Sequence, residues 1–407
     1  MPIRLQKMNV FRAQVVNRAV VLNLLRYQSG HSRASVARST GLSTTAAANI
    51  INELVDEGVV IETDEWQETV RGRKGKVISL NPDFATAIGV EVTDVELRAI
   101  VTDFTENPLH SVSRSIAGMT AGQVLDQMEG AIRELISIAG REKLYGARIA
   151  LPGLVDLQEG VSLSFPGVAG WQPTPVGRLL SERLGIPVSL DIRLITGTTA
   201  ELRFGAGREI PNFVYFNSAP ETGFGIGIVA NGRVVLGQQG LGGQFGHIYV
   251  DPRERQCFCG RRGCLVTVAS PLAITKEISA AIQNGVETVV SGRVPLTFRD
   301  VVQAARLGDS LCYNALERAG EFLGIGLSHV LNLLSPDAVV LSGLLTEAGD
   351  VVIDAMKRTA RRHTINAIYD RVKIVQTGLD ETAAARGAVA RLLDNFFVVD
   401  PSLIRDF

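Results

Sequence analysis

The segment "GGQFGHIYVDPRERQCFCGRRGCLV", residues 242–266, contains three of the four cysteines of this 407-residue chain. Its histidine and cysteines follow the spacing H-x9-C-x-C-x4-C, formed by His247, Cys257, Cys259 and Cys264. One imidazole and three thiolates supply the four tetrahedral ligands of a closed structural zinc site. Such a site leaves no coordination position open for a substrate. The sequence therefore predicts a zinc ion that holds this loop and takes no part in catalysis.

Two alternatives for the cluster stay open at this stage. The cysteines can be reduced core residues beside an unrelated histidine, or they can form a redox site. The intervening "FCGRRG", residues 258–263, is polar and turn-like, which is a poor match to a core strand. A Cys-x-Cys pair also lacks the two-residue spacing that is usual for redox cysteines. We favour structural zinc.

The composition is typical of a soluble globular protein, with 46% hydrophobic and 20% charged residues. A chain of 407 residues is too long for one core, so we expect two or three domains. The N-terminal sequence lacks the apolar core of a signal peptide, and no uncharged apolar run reaches about 18 residues. Four cysteines, one of them outside the cluster, do not form a disulfide framework. We therefore expect a cytoplasmic protein with no membrane insertion.

The charge is divided unevenly along the chain. Residues 1–82 contain 11 Lys and Arg against 7 Asp and Glu, while the remainder contains 30 against 35. A basic N-terminal segment joined to an acidic body is consistent with nucleic-acid binding at one end. The excess is small and decides nothing alone.

The N-terminal segment has the pattern of a helix-turn-helix. Apolar residues recur at helical spacing in residues 17–30, and Ser32 is well placed to cap a second short helix. Gly41 supplies the turn, and a third helix is predicted from Ser43 to Glu57. Two short helices joined by a glycine-containing turn are the signature of this DNA-binding motif.

Two predicted strands, residues 59–64 and 76–81, follow the third helix and flank a basic, glycine-containing segment. This order predicts a winged helix-turn-helix, and the alternative is a small helical domain whose polar face is merely solvated. Asparagine pairs with adenine edges, and cations at a hairpin tip contact phosphate or the minor groove. The candidate contacts to double-stranded DNA are Ser43, Thr44, Thr45, Asn49 and Asn52 on the third helix and Arg71, Arg73 and Lys74 on the tip.

After Pro82 strands and helices alternate in two similar halves. The first half runs from three successive strands through a helix at residues 121–140, and the second contains a long helix near residues 309–334. This α/β pattern predicts a duplicated architecture with a cleft between the halves.

The glycine-rich run at residues 223–243, followed by "G-H…C-x-C-G-x-x-G-C-L", resembles the ROK family (repressors, open reading frames and sugar kinases). The resemblance extends from about residue 10 to about residue 395. It implies a two-lobed, actin-like (ribonuclease H-like) sugar-kinase fold with a structural zinc loop. The N-terminal helix-turn-helix makes the chain similar to the transcriptional repressors of the family that respond to glucose, N-acetylglucosamine or xylose.

The resemblance implies three units. Residues 1–82 form the DNA-binding domain, residues 83–194 form a first α/β lobe completed by roughly 380–407, and residues 195–379 form a second lobe with the zinc loop and an oligomer interface. We expect a homodimer or homotetramer that binds an operator and represses genes of carbohydrate uptake or catabolism. A sugar-like effector, or a transporter or other protein partner, would control it.

Kinase activity is the alternative function, and the phosphate-binding sequences argue against it. ROK kinases carry Asp-x-Gly-Gly-Thr in the first phosphate loop, where this chain has "EVTDV" at residues 91–95. Valine cannot give the close backbone approach that glycine allows. The second loop, "TGFGIG" from Thr222, is closer to the family pattern, and "SGLL" at residues 342–345 matches it only in part. We predict that the chain is not an enzyme.

The resemblance also places the effector contacts. Gly153 and His247 are retained, and Asp191 in "LDIR" occupies the place of the catalytic aspartate in the kinases' Asn-Asp-Ala-Asn. Asp191 would contact a sugar hydroxyl or, equally, cap the following helix. Four family positions differ: Gly167 and Leu190 replace asparagine, and Gln244 and Val266 replace glutamate. These changes favour a ligand other than glucose, or none; if an effector binds, we expect Gly153, Asp191, Gln244 and His247 to contact it.

Overall fold

The computed structural model describes residues 10–28, 30–68, 74–219 and 223–397. The helices, in chain order, are α1 (Val10–Tyr27), α2 (Arg33–Thr40), α3 (Thr44–Asp56), α4 (Ala121–Ala139), α5 (Val176–Leu184), α6 (Arg193–Phe204), α7 (Val266–Ala269), α8 (Pro271–Gln283), α9 (Phe298–Arg306), α10 (Ser310–Leu334), α11 (Asp350–His363), α12 (Asn366–Tyr369) and α13 (Ala383–Phe397). The strands are β1 (His31–Ser32), β2 (Val60–Glu68), β3 (Lys74–Leu80), β4 (Thr86–Val92), β5 (Glu96–Thr102), β6 (Pro108–Ser115), β7 (Leu144–Leu151), β8 (Val155–Asp156), β9 (Val161–Ser162), β10 (Val188–Ile192), β11 (Phe213–Ala219), β12 (Gly223–Ala230), β13 (Arg233–Val235), β14 (Ala338–Gly343) and β15 (Lys373–Gln376). None of these helices is long and apolar enough to cross a membrane.

The N-terminal helices begin and end where local chemistry requires. The Ser32 side chain accepts a hydrogen bond from the backbone of Ser35 and caps α2, as predicted. Gly41, at φ 72°, ends that helix in the left-handed conformation that glycine adopts without strain. Ser43 caps α3 by accepting from the N–H of Ala46. Strand β1, which lies between α1 and α2, joins β2 and β3 after α3 in an antiparallel sheet of order β1-β3-β2.

The N-terminal elements share a core with the last helix of the chain. Val21 of α1 and Ile51 of α3 are completely buried. They belong to an apolar cluster that also includes Val389 and Phe397 of α13. Burial of large aliphatic and aromatic side chains stabilises such contacts by about 1.5–3 kcal/mol for each side chain. The N-terminal segment is therefore packed on the body and is not an isolated unit.

The body contains two five-stranded sheets with the same topology. The first has the order β10-β7-β4-β5-β6 and the second the order β13-β12-β11-β14-β15. In each sheet the first strand along the chain is central, pairs antiparallel with the second strand and parallel with the fourth. The predicted duplicated α/β architecture is confirmed.

Helices α6 and α13 cross closely on the inner sides of the two sheets. A Cβ at Gly387 of α13 would lie 1.8 Å from the carbonyl oxygen of Thr196 in α6, which only glycine permits. A Cβ at Gly89 of β4 would lie 2.0 Å from the carbonyl oxygen of Ala385. Glycine at these two positions therefore allows α13 to pack closely against α6 and against the first sheet.

Some element boundaries differ from the sequence prediction. The apolar stretch of residues 147–156 has the sequence pattern of one strand, whereas the structure has β7 and β8 separated by Pro152 and Gly153. Proline has no N–H for the ladder, and Gly153 has φ 79°, so the strand cannot continue there. Helix α1 begins at Val10, earlier than the residue 17 expected from the apolar pattern.

Candidate functional site

The structure brings the predicted metal ligands together. The donor atoms of His247, Cys257, Cys259 and Cys264 all lie within 4.8 Å of one another. His247 Nδ1 is 3.6 Å from Cys257 Sγ, and the sulfur atoms of Cys259 and Cys264 are 3.7 Å apart. Ligands at about 2.3 Å from a tetrahedral zinc stand about 3.8 Å from each other. The cluster therefore fits a tetrahedral metal ion, and its thiolate-rich donor set suits zinc.

Backbone hydrogen bonds shape the loop around the cluster. The N–H of Cys257 donates to the carbonyl of Arg261 at 2.8 Å, and the N–H of Gly260 donates back to the carbonyl of Cys257 at 3.0 Å. Gly263 has φ 75°, and a Cβ there would lie 2.4 Å from the Tyr249 ring. The loop thus wraps tightly because glycine occupies the position where the backbone and the Tyr249 ring meet.

Without a cation the two buried thiols of the cluster favour their protonated form. Burial raises the pKa of the Cys264 thiol to about 12 and also raises the pKa of Cys257. A hydrogen bond from the backbone of Arg261 lowers the pKa of the exposed Cys259, and burial lowers the pKa of His247. The imidazole is thereby kept neutral, which is the form that coordinates metal. A bound cation would stabilise the two buried thiols as thiolates.

A cavity of ≈ 590 Å³ lies beside the Cys/His cluster, between the ends of the two sheets. We call it the effector cavity. Three of the four predicted effector contacts, Gly153, Gln244 and His247, line it. Gly153 is required by the backbone, because a Cβ there would lie 2.4 Å from the carbonyl oxygen of Ser164. The role of these residues in binding stays a prediction.

A second cavity, of ≈ 630 Å³, occupies the cleft between the two sheets. We call it the interlobe cleft. Its three arginines are paired with carboxylates that also line it: Arg98 with Glu96, Arg193 with Glu91 and Arg299 with Glu347. Burial raises the pKa of the Glu91 carboxyl, and the adjacent Arg193 guanidinium opposes that shift. Asp94, Asp380 and Glu381 add further negative charge to the lining. The described part of the cleft is therefore acidic, which disfavours a nucleoside triphosphate.

Comparison with known proteins gives the family. The model of the ROK family matches residues 87–395, which is more than half of the chain. The chain belongs to the ROK family. It is 29% identical over 399 residues to the DNA-binding transcriptional dual regulator NagC of Escherichia coli, with 92% of each chain covered.

Solved ROK structures extend this relationship to the fold. A ROK transcriptional regulator described as a homologue of the E. coli MLC protein has a TM-score of 0.81 and 25% identity, and covers 97% of this chain and 99% of its own. A ROK glucokinase from Streptomyces griseus, in complex with glucose and AMPPNP, has a TM-score of 0.63 at 24% identity and covers 75% of this chain and 99% of its own. The body thus has the α/β sugar-kinase-like fold with actin-like sheets, and the likeness to a regulator includes the N-terminal segment.

The residue in the place of the ROK catalytic aspartate is not in the effector cavity. Asp191 is completely buried at the end of β10. Its Oδ2 accepts hydrogen bonds from Arg391 and, at 3.0 Å, from Nη1 of Arg148, while Oδ1 accepts from its neighbour's N–H. Ile192 occupies the N-cap position of helix α6, so Asp191 does not cap this helix either. The carboxylate instead forms a buried ion triad that joins β10, β7 and α13.

The turn predicted to correspond to the first ROK phosphate loop, residues 91–95, forms hydrogen bonds within itself. Thr93 Oγ1 accepts hydrogen bonds from the N–H groups of Val95 and Glu96, at 3.3 and 2.9 Å. The N–H of Thr93 donates to the carbonyl of Glu96 at 2.8 Å. A kinase uses such backbone N–H groups to hold phosphate oxygens. Here the N–H groups of Thr93, Val95 and Glu96 already have acceptors within the turn between β4 and β5.

The predicted DNA contacts on α3 fall into two groups. Thr44, Thr45 and Asn49 are exposed, whereas the Ser43 hydroxyl caps the helix. Asn52 accepts a hydrogen bond from Nη1 of Arg33 at 2.6 Å. Of the predicted hairpin-tip cations, Arg71 and Arg73 lie outside the described residues. Lys74 begins β3, and its side chain is likewise outside the description.

Sequence reasoning missed two arginines. Arg33 is the first residue of α2, and its hydrogen bond to Asn52 places the guanidinium beside the exposed face of α3. The same guanidinium forms an ion pair with Glu62 at 2.9 Å. Arg193, the first residue of α6, lines both the effector cavity and the interlobe cleft. The signal for Arg193 was present in "LDIR", because an arginine stands where the ROK kinase motif has its second asparagine.

Proposed function

We propose that this ROK chain is a DNA-binding transcriptional repressor whose body senses a small molecule. The observation that carries the proposal is the three-helix and hairpin segment packed on a ROK body, in a chain that aligns with a ROK regulator over 97% of its length. The proposed units are residues 1–82 for DNA binding, 83–194 with roughly 380–407 for the first lobe, and 195–379 for the second lobe. The targets are operators of carbohydrate uptake or catabolic genes.

The N-terminal segment is proposed to act as a winged helix-turn-helix. In this arrangement α3 enters the major groove and the β2–β3 hairpin reaches the flanking backbone. Thr44, Thr45 and Asn49 face solvent on α3, and Arg33 adds a cation at the same face. We assign Ser43 and Asn52 to holding this surface, since both already have partners in the protein. A homodimer or homotetramer would present two such helices to the half-sites of one operator.

A buried ion network links the DNA-binding helices to the body. In α1, the Nε of Arg26 donates to Glu106 at 2.7 Å and its Nη1 donates to Asp394 of α13 at 2.6 Å. Glu106 also accepts from Arg203 of α6 at 2.8 Å. Helices α6 and α13 both line the interlobe cleft at their N-terminal ends, through Arg193 and Ala383. A ligand that favours one lobe arrangement would thereby favour one placement of α1.

Zinc is the proposed structural cofactor. It would be held by His247, Cys257, Cys259 and Cys264, whose donor distances fit a tetrahedral ion. A bound ion would cross-link these four residues and so hold the loop together. The loop in turn positions Gln244 and His247 at the effector cavity.

The competing function, a sugar kinase with a fused regulatory domain, is disfavoured by three observations. The aspartate in the place of the catalytic base is locked between Arg148 and Arg391. The N–H groups of the first phosphate turn are used within the turn. The interlobe cleft is acidic. ADP release above the protein-free rate, measured with a panel of hexoses and MgATP, would restore this function.

The test of the repressor function is selection of genomic fragments by the full-length protein at a stated salt concentration. We expect a recurrent pseudo-palindrome beside transport or catabolic genes. Asn49→Ala should weaken binding to that site by about 1–3 kcal/mol, because an asparagine–adenine pair is lost, and should leave binding to unrelated DNA unchanged. Asn284→Ala, an exposed asparagine on the body, is the matched control. Equal loss on all DNA sequences, or recovery of sequence-blind fragments only, would contradict the proposal.

If operator binding is confirmed but no small molecule releases it, a protein would be the signal. A transporter component is the partner class that we propose, because the altered effector contacts leave a protein signal open. Release of the operator complex by membrane fractions that contain the cognate transporter, and not by fractions that lack it, would identify this form of control.

A further inference from the structure

The charge of the effector cavity is unusual for a sugar site. Among the described residues that line it, Arg193 is the sole Lys or Arg and none is Asp or Glu. Sites for neutral sugars are commonly built on carboxylates and amides that accept hydrogen bonds from hydroxyl groups. Here the acceptors are the amides Asn217 and Gln244 and the hydroxyl of Ser164.

Arg193 is held in place but not saturated. Its Nη2 donates to Asn217 Oδ1 at 3.0 Å, and its Nη1 donates to Glu91 Oε1 at 3.4 Å. A guanidinium has five N–H donors, and these two contacts use two of them. The side chain is 17% exposed and lines both the effector cavity and the interlobe cleft, so donors of this guanidinium remain for a ligand. Such a fork matches the two oxygens of a carboxylate.

The backbone adds positive potential at the same point. Arg193 begins α6, and Ile192 at the cap position supplies no side-chain acceptor to the first turn. Ile192, Arg193 and Leu194 all line the cavity, so the positive end of the helix dipole faces it. The nearby carboxylate of Asp191 does not offset this potential, because it is bound to the two guanidinium groups of Arg148 and Arg391.

We propose that the effector is a sugar acid of monosaccharide size, whose carboxylate pairs with Arg193. This assignment rests on the proposed function, because it names the ligand that controls the repressor. A monoanion suits the site better than a phosphate dianion, since Glu91 already lies 3.4 Å from the same guanidinium. Asn217, Gln244 and Ser164 would receive the hydroxyl groups of the ligand.

The test compares matched ligands at constant ionic strength, by calorimetry on the full-length protein. The probes are glucose, gluconate, glucuronate and glucose 6-phosphate, with xylose and xylonate as a second set. We expect at least one acid to bind at least about 10-fold more tightly than its neutral sugar, as a charge-assisted hydrogen bond provides. Arg193→Gln should abolish that preference, Arg193→Lys should retain part of it, and the exposed Arg233→Gln should leave it unchanged.

Each outcome decides the assignment. Equal affinity for acids and neutral sugars, preference for the phosphate ester, absence of binding by any probe, or an acid preference that survives Arg193→Gln in a folded protein would overturn it. Circular dichroism and thermal melting establish that the variants are folded. Operator binding is measured separately with ligand-free protein. A protein that binds an acid through Arg193 but does not bind DNA would disprove the repressor function and leave the ligand assignment standing.

Discussion

The two sheets of the body have the same strand order but differ in how they make room for their central helices. In the first sheet a strand provides the space, because Gly89 of β4 lies against α13. In the second sheet both sides provide it. Gly197 of α6 lies against the Tyr215 ring of β11, where a Cβ would be 2.9 Å from the nearest ring atom, and Gly227 of β12 lies against Thr198 of α6, where a Cβ would be 1.6 Å from the hydroxyl oxygen. The same topology therefore accommodates glycine on the strand alone or on both strand and helix.

The sheets also differ in what they support. The first ends in the buried ion triad around Asp191, which joins two of its strands to α13. Between β13 and β14 the second carries a long excursion that contains the Cys/His cluster. The duplicated framework is therefore structural, while the chemistry specific to this chain resides in residues at the ends of the sheets. Three sets of variants test this difference.

The largest effect is expected at the Cys/His cluster of the second sheet. Cys264→Ser should reduce the zinc content from about one ion per chain to near none and lower the free energy of unfolding by more than about 5 kcal/mol, because structural zinc contributes about 10–16 kcal/mol in small zinc domains. Elemental analysis and thermal melting measure both quantities. Cys312→Ser, a buried cysteine outside the cluster, should retain the metal. An unchanged melting curve together with no zinc in the parent protein would refute the metal site.

The ion triad should give the next largest effect, confined to the first sheet and α13. Asp191→Ala leaves two largely buried guanidinium groups unpaired, which should cost about 3–5 kcal/mol in urea unfolding. Glu182→Ala removes an exposed partner of Arg178 and should change stability by less than about 0.5 kcal/mol. If Asp191→Ala were as mild as this control, the triad would not be what fixes β10 to α13.

The two glycine contacts should show the smallest and most graded difference. Gly89→Ala forces a methyl group against the backbone oxygen of Ala385, which cannot move without shifting α13, so we expect a loss of up to about 3 kcal/mol. Gly197→Ala meets only the edge of the Tyr215 ring, which can adjust, and should cost about 1 kcal/mol. The two denaturation midpoints give the comparison directly. Equal losses would mean that strand and helix glycines are interchangeable here.

The sequence predicted best what depends on neighbours along the chain. The third helix was expected over residues 43–57 and spans Thr44–Asp56, with Ser32 and Gly41 in their predicted roles at the ends of α2. The long helix expected near 309–334 is Ser310–Leu334. The Cys/His spacing identified a cluster that the fold does assemble. Caps, periodicity and ligand spacing are all local signals.

What the sequence could not reveal depends on distant partners. Asp191 was expected to contact an effector or cap α6, yet its partners Arg148 and Arg391 lie 43 and 200 positions away. Nothing near an aspartate in the sequence tells whether a guanidinium will reach it in the fold. Arg193 was overlooked for the related reason that a positive charge gains meaning only when the whole cavity lining is known.

Helix α1 is synthesised long before the residues that complete its packing. Its Asn23 donates to the carbonyl of Phe397, and its Arg26 binds Asp394, both in the final described helix. During synthesis on the ribosome, at least 368 positions separate these α1 residues from their partners, so the contacts with α13 form only after that helix has emerged. A chain interrupted before α13 would contain the N-terminal helices but lack the surface on which they dock.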